Sequence, residues 1–445
     1  MAGHDVTAWL VPGGSTRTLG ACVSERATAF WSRVLPGIFR RNLILPVAVL
    51  ALLALVLLVA GSTRQYIYDE VYYLEGAHLL ARGASLRDLL VAPLNTPAGP
   101  LYPVMHWLLA PMTGLRPPAI RVPNLILFGA ACAAIAYTMA RWRLTEPWAR
   151  TAMLLGLPIL WVSAGMALTE MPALAFASFC LAAAAWAMSG PPAPPLRLWG
   201  GFTLAGLCLG MAVLGRQPYL PAAGGFLLIA LFEPRFRWPA LLAAILACAV
   251  PLPVFLVWGG LVPPHEARVG GIDLSHGALA FAYMSALFLI LAPAYFLRLW
   301  RWSLAAGLLV GLAILPFGGM PDPVAPGIAA HLPSLLARLF QMGISVVLVG
   351  GGASLIVASV VNILDRRDDR VFVLMVLLTL GLTSTAAAVV HLFSSRYLMT
   401  AFPFALLAVQ PYFTPSRWAA ARLAVGASIG CLSFIHYLQV APLSG

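Results

Sequence analysis

Leu43-Ile44-Leu45-Pro46-Val47-Ala48-Val49-Leu50-Ala51-Leu52-Leu53-Ala54-Leu55-Val56-Leu57-Leu58-Val59-Ala60 runs for 18 residues without a charged side chain. A stretch of this length and character is long enough to cross the hydrocarbon core of a bilayer as a helix. Beyond it, similar runs recur at 121–140, 151–167, 170–188, 200–214, 219–232, 239–260, 278–297, 303–317, 339–361, 371–391, 397–413 and 420–438. They are continuous rather than alternating, which selects helices over a membrane β-barrel. The expected fold is all-α, a polytopic transmembrane bundle of about 13 spans.

Composition points the same way. Of 445 residues, 61% are hydrophobic and 9% charged, where a soluble domain carries roughly 25% charged residues. The net charge of +12 lies on arginines in short loops between apolar runs. That pattern sets topology rather than forming a phosphate-binding face, so the bilayer is the expected partner and nucleic acid is not. All 27 basic residues are arginine, a codon signature of a GC-rich genome that favours a bacterium. The six cysteines are scattered mostly through the runs, offer no metal spacing, and read as small apolar packing residues.

Residues 1–42 contain Arg17, Arg26, Arg33, Arg40 and Arg41 and no apolar core. They read as a cytoplasmic leader, with the first run an uncleaved anchor. The chain then divides into that leader (1–42), one membrane module (43–438) and a short outer tail (439–445). The run 101–115 is short and holds Pro103, Pro111 and His106, which suits an interfacial or re-entrant helix. Left out of the span count, it puts eighteen of the 27 arginines inside. Counted as a span, it would reverse that bias. The N-terminus is therefore expected inside and the C-terminus outside. The long outer loop is 61–120, further outer loops lie at 261–277 and 318–338, and 190–195 is a proline-rich inner connector.

On this topology the outer side holds eight carboxylates and seven of the eight histidines, so groups suited to proton transfer gather on one face. Asp69 and Glu70 stand a short step past the first span, in Tyr66-Ile67-Tyr68-Asp69-Glu70-Val71-Tyr72-Tyr73-Leu74-Glu75-Gly76-Ala77-His78. Asp69 can act as a general base toward a hydroxyl at the membrane surface. The local pattern alone favours a helix N-cap, with an acidic side chain bonding the free amides of a helix that starts near Val71. Glu170, in Leu168-Thr169-Glu170-Met171-Pro172, is balanced between opening a helix and facing Asp69 across an outer cavity.

Arg216-Gln217 and Arg396-Tyr397 sit in outer turns, against the topology bias. A guanidinium there offers a fixed fork of donors to a phosphate; snorkelling to lipid headgroups is the plainer alternative. His265-Glu266 and Asp273 with His276 match no metal motif and suit a solvated loop or sugar hydroxyls. The tyrosines at 66, 68, 72 and 73 suit an interfacial aromatic belt. Phosphate-binding loops, dinucleotide fingerprints and serine-nucleophile elbows are absent from the sequence.

In this order, the pieces resemble the GT-C superfamily of integral membrane glycosyltransferases, which use polyprenyl-phosphate sugars. Tyr68-Asp69-Glu70 is similar to the acidic motif after that superfamily's first span. Arg121-Val122-Pro123 is similar to the start of its second span, Leu168-Thr169-Glu170-Met171-Pro172 to its second outer loop with Glu in place of Asp, and Ser395-Arg396-Tyr397-Leu398 to its late Arg-Tyr-Leu element. Thr96-Pro97-Ala98-Gly99-Pro100-Leu101-Tyr102, Arg216-Gln217, Val257-Trp258-Gly259-Gly260 and His265-Glu266 further resemble the dolichyl-phosphoglucose-dependent α-1,2-glucosyltransferase family.

The resemblance implies an inverting hexosyltransferase of the bacterial inner membrane, acting on the periplasmic or extracellular side. Its partners would be a polyprenyl-phosphate sugar donor and a lipid-linked or glycan hydroxyl acceptor. Asp69, Glu70 and Glu170 would carry the chemistry, and Arg216, Gln217, Arg396 and Tyr397 would hold the donor phosphate. His78, Tyr72, Tyr102, His265, Glu266 and His276 would meet the acceptor or sugar, with no metal ligand set assured. A transporter or lipid-linked sugar flippase is the alternative. It would be expected to show mid-span charges and paired broken helices instead. A ligase of undecaprenyl-linked polymers ranks below both.

Overall fold

The computed structural model describes residues 43–439, apart from 64, 68, 190–193, 298–299, 316–328 and 391–392. The expected leader at 1–42, most of the proline-rich connector, Tyr68, Asp322, His391 and the tail beyond 439 therefore lie outside the described residues. Among the described residues every regular element is helical, and one isolated antiparallel bridge joins Gly270 to Val389.

Eight helices are long and apolar enough to cross a membrane, and shorter apolar helices at 44–60, 217–232 and 300–313 accompany them. The chain is thus a multi-pass integral membrane protein. It opens with α1 (Ile44–Ala60), followed by three short helices, α2 (Glu70–Ala81), α3 (Leu86–Val91) and α4 (Leu101–Leu108). Then come α5 (Val122–Arg141), α6 (Glu170–Met188), α7 (Pro195–Gly215), α8 (Ala223–Phe232), α9 (Arg237–Ala249) and α10 (Leu252–Trp258). The series ends with α11 (Leu274–Leu291), α12 (Trp300–Ala313), α13 (Ser334–Asp365), α14 (Arg370–Ser384) and α15 (Arg417–Gln439).

The run 101–115 folds as α4 and a four-residue turn of helix, Ala110–Thr113. At about 12 Å, α4 is too short to cross a bilayer. Several stretches expected as single spans are interrupted, 239–260 between α9 and α10 and 278–297 at Ala292 among them, and two more are broken into short pieces. Residues 151–167 split between Pro147–Ala152, the tight turn Met153–Gly156 and Pro158–Gly165. The break falls at Leu157, which is extended (φ −94°, ψ 108°) because the ring of Pro158 disfavours a helical residue before it. Residues 397–413 become two 3₁₀ turns, Ser395–Ala401 and Gln410–Tyr412, flanking Phe402–Ala408. Pro403 and Pro411 each remove a backbone donor there, a change that hydropathy does not register.

Helix contacts are made through small residues, as expected where lipid competes equally for large apolar side chains. A Cβ on Gly206 of α7 would lie 2.5 Å from the Ala243 carbonyl of α9, and one on Gly307 of α12 would lie 2.7 Å from the Gly350 carbonyl of α13. Leucines such as Leu50, Leu57 and Leu309 face outward, where a bilayer accepts them. Helix α6 packs against both α5 and α7. The N-terminal ends of α5 and α6 and the C-terminal end of α7 gather together, beneath α2 and α4. That end of the bundle holds the polar residues of interest.

Candidate active site

Asp69 precedes α2 but makes no side-chain bond to its first turn, so the expected N-cap is not formed. Its carboxylate instead pairs with the guanidinium of Arg396. Glu70, the next residue, turns the other way and is fully buried. Its Oε1 accepts from Arg121 Nε (2.8 Å) and the Ala167 amide (2.7 Å). Its Oε2 accepts from Arg121 Nη2 (2.6 Å) and the Ile67 amide (2.9 Å). The remaining Arg121 nitrogen donates to the Ser62 carbonyl at 2.7 Å. This bidentate pair ties the start of α2 to the head of α5 and to the stretch before α6.

That stretch is held from three sides. Asn124 Nδ2 donates to the carbonyls of Met166 (2.7 Å) and Leu168 (2.8 Å). The Tyr102 hydroxyl of α4 donates to the Ala167 carbonyl at 2.5 Å, while the Ala167 amide is taken by Glu70. Glu170 therefore enters α6 from a fixed backbone. Thr169 also makes no side-chain cap; its hydroxyl accepts from Arg216 Nη1 at 3.3 Å.

Glu170 sits between two cations, 3.5 Å from Arg216 Nη2 and 3.8 Å from Arg396 Nη1. Neither of its oxygens has a hydrogen-bond partner, although both are buried. Arg216 lies at the end of α7, where its backbone turns extended (φ −146°, ψ 108°) ahead of Gln217-Pro218. Its guanidinium lies 6.0 Å from the Tyr397 ring centroid. Arg396 is braced by Ser394, whose hydroxyl accepts from Nε at 3.2 Å. Gln217 secures the loop after α3, donating from Nε2 to the Pro97 carbonyl at 2.8 Å.

One helical turn past Asp69, Tyr73 lines a pocket with Gly76, Leu94, Thr96, Thr169 and Trp258. Burial pushes the Tyr73 hydroxyl up to about 12, with Arg396 pulling it weakly down, so it stays a neutral donor.

The structure thus brings together Asp69, Glu170, Arg216, Arg396 and Tyr397, drawn from four separated stretches, with Gln217 beside them. Of the residues expected to meet acceptor or sugar, His265 lines that same pocket beside Tyr73, and several have contacts of their own. His78 Nε2 lies 3.2 Å from the Tyr66 hydroxyl, and burial, followed by Arg82, lowers its pKa. His265 Nε2 is 2.7 Å from the Leu94 carbonyl; His276 Nδ1 is 2.6 Å from the Val389 carbonyl and its Nε2 3.7 Å from Asp273. Tyr102 is wholly buried under the stretch before α6, Glu266 is buried and Tyr72 is half-buried on α2. Among the described residues, no group of three or more His, Cys, Asp or Glu is placed to hold a metal ion.

Sequence reasoning missed Arg121 as the partner of Glu70, together with Tyr73, Thr169 and Asn124. Arg121 carried a usable signal, because it is an outward arginine at the head of a span, like the two that were singled out. Chemically, two guanidinium groups share one buried carboxylate at distances too long for hydrogen bonds. A planar guanidinium fork suits a phosphate or carboxylate, and the Asp69 carboxylate stands alongside the two arginines.

These features define a multi-pass helical membrane protein with an ionic cluster at one end of its bundle. No protein-family model matches the chain, and no curated protein matches it either. Among solved structures it is similar to ArnT from Cupriavidus metallidurans in the apo state, at 14% identity and a TM-score of 0.40, over 86% of this chain and 77% of that one. It is also similar to ArnT from Cupriavidus metallidurans bound to undecaprenyl phosphate, at 16% identity and a TM-score of 0.44, over 88% and 76% of the two chains.

Proposed function

We propose that this protein is an inverting, GT-C-type membrane glycosyltransferase. It transfers a hexose from a polyprenyl phosphate to a hydroxyl of a lipid-linked or glycan acceptor on the non-cytoplasmic face, crossing the membrane about 13 times. The observation that carries the proposal is the convergence of Asp69, Glu170, Arg216 and Arg396. Two cations and a potential base share one partly open cluster. The order of the motifs quoted above supports the same reaction class.

In this reaction the acceptor hydroxyl gives its proton to Asp69 as its oxygen bonds to the anomeric carbon. The bond from that carbon to the phosphate oxygen breaks, and its electron pair leaves on the phosphate. Arg216 and Arg396 neutralise that charge where it develops, so their hydrogen bonds strengthen along the reaction path. A donor phosphate competing for Arg396 releases the Asp69 carboxylate toward the acceptor. Glu170 keeps the two guanidinium groups side by side until the phosphate arrives. Tyr73 and Trp258, which line the adjacent pocket, offer aromatic walls to a sugar ring. Glu70 touches none of the reacting groups and acts by positioning.

The test is Asp69→Asn, assayed with a panel of labelled polyprenyl-phosphate hexoses in detergent. Transfer is expected to fall about 10²- to 10⁴-fold while the purified protein keeps its thermal unfolding profile. Activity within about threefold of wild type would remove Asp69 from the mechanism. Flux of a lipid-linked sugar across proteoliposomes, with no glycosylated product from any donor, would establish the flippase instead.

A further inference from the structure

The ends of α5, α6 and α7 opposite the ionic cluster carry a second arrangement that the proposed reaction does not use. A groove runs between these helices, with a floor of Ala182 and Cys208 and walls of Tyr137, Phe179, Trp186 and Leu204. Tyr137, Trp186 and Leu204 are exposed and Phe179 is half-buried, so the groove opens on the side of the protein that meets lipid. Its mouth is cationic. Arg141, at the end of α5, donates from Nε to the Ser189 hydroxyl at 2.7 Å, and its guanidinium lies 6.0 Å from the Tyr137 ring. Arg197, in the first turn of α7, donates from Nη2 to the Ser189 carbonyl at 2.8 Å. Both guanidinium groups are therefore anchored to one residue, Ser189, three positions beyond the groove-lining Trp186, with Arg143 exposed nearby in sequence. None of the groove-lining residues is acidic, and Glu146 is the nearest carboxylate along the chain from Arg141.

We propose that this groove binds one anionic phospholipid, with the phosphate at Arg141 and Arg197 and an acyl chain along the apolar floor. Length supports this occupant. Phe179 and Cys208 each lie about 15 Å along their helices from the arginine mouth, which is half of the roughly 30 Å hydrocarbon core and so the depth of one leaflet. The placing of Tyr137 and Trp186 next to the arginines is the arrangement aromatic side chains take at headgroup level. A transmembrane helix from another protein would fill the floor equally well, but it would not call for two guanidinium groups fixed at the mouth. The proposal stands whether or not the protein transfers sugar.

The test uses the full chain purified in detergent and stripped of lipid. It is titrated with dioleoylphosphatidylglycerol or dioleoylphosphatidylcholine and read by native mass spectrometry and thermal unfolding. The first retained phosphatidylglycerol is expected to bind about 30-fold tighter than phosphatidylcholine, as two arginines at a lipid surface supply. Arg141→Gln should cut that preference to about fivefold, and Arg141→Gln with Arg197→Gln should bring the two lipids within about twofold of each other. Ala182→Phe, which fills a half-buried position in the floor, should weaken both lipids alike. Leu204→Trp serves the same purpose if Ala182→Phe does not accumulate. Equal affinity for the two lipids in the wild type would overturn the proposal, as would a preference undiminished by the mouth variants or affinities undiminished by the floor variants. A change of oligomeric state in the floor variants would assign the groove to a second copy of the chain.

Discussion

Two ion clusters lie close together in this protein, and they are built on opposite plans. In the Glu70–Arg121 pair every guanidinium nitrogen and both carboxylate oxygens are bonded at 2.6–2.9 Å, and both side chains are fully buried. In the Asp69–Arg396–Glu170–Arg216 group, Glu170 is held at 3.5 and 3.8 Å with neither oxygen hydrogen-bonded, and Asp69 stays a quarter exposed. Burying charge is repaid only when geometry and hydrogen bonding are complete. The first cluster meets that condition and behaves as a joint between helices. The second does not: its contacts to Glu170 are long and Asp69 lies at a partly exposed position.

The sharpest way to break this comparison is to strip the sealed pair. Glu70→Ala leaves Arg121 buried without a counter-charge, and it should cost about 3–5 kcal/mol of stability. The readout is thermal unfolding of the detergent-solubilised protein. Replacing both partners, Glu70→Leu with Arg121→Met, removes the orphaned charge and should restore much of that stability. If Glu70→Ala instead left unfolding unchanged and abolished transfer, the sealed pair would belong to the chemistry and the contrast would fail.

The loose cluster predicts the reverse pattern. Arg216→Ala and Arg396→Ala should each lower kcat by about 10²- to 10³-fold, as losing a donor to a developing oxyanion does. Stability should fall by less than in Glu70→Ala, since each variant leaves Glu170 beside a second cation. Lysine at either position keeps charge but loses the planar fork, and it should recover only part of the rate. Steady-state kinetics with the best donor found in the hexose panel checks this. An alanine variant that unfolds readily while transferring at the wild-type rate would make that arginine structural.

Much of this layout could be read in the chain. Asp69, Glu170, Arg216 and Arg396 were each conspicuous for standing against a local expectation, a carboxylate at a lipid edge or an arginine on the outer side. The structure gathers all four at one end of the bundle. Arg121 breaks the same rule, but in sequence it reads only as the head of a span, because the partner that seals it, Glu70, is 51 positions away. The caps expected at Asp69 and Thr169 failed for a related reason: local pattern favours a cap unless a distant cation competes for the side chain, and Arg396 and Arg216 do so. The breaks at Pro158 and Pro403 were missed because run length measures hydropathy, whereas helix continuity depends on single backbone donors. His276 stands out as a titratable group, yet its Nδ1 lies near the Val389 carbonyl, whereas His265, with Nε2 near the Leu94 carbonyl, also lines the pocket beside Tyr73. Composition cannot distinguish a histidine held by backbone from one that faces a ligand.

A buried histidine beneath the site provides a smaller test of the same contrast between completed and incomplete polar contacts. His106 of α4 is fully buried, neither ring nitrogen has a hydrogen-bond partner, and its ring packs against Tyr102 with centroids 4.3 Å apart. Burial pushes its pKa down to about 3 from the ordinary 6.5. The folded protein therefore keeps His106 neutral where the unfolded chain takes up a proton. Stability is constant above pH 6.5 on this account, falls as pH drops from 6.5 toward 3, and levels off below that. At pH 5 the cost is about 2 kcal/mol, at about 1.4 kcal/mol per pH unit. His106→Phe keeps a ring against Tyr102 and removes both the orphaned nitrogens and the titration. At pH 7.5 the variant should unfold within about 1 kcal/mol of wild type, and between pH 7.5 and 5 it should lose about 2 kcal/mol less stability. Parallel acid-stability curves for the two proteins would show instead that the His106 ring is reached by water and bears no part of the packing under Tyr102.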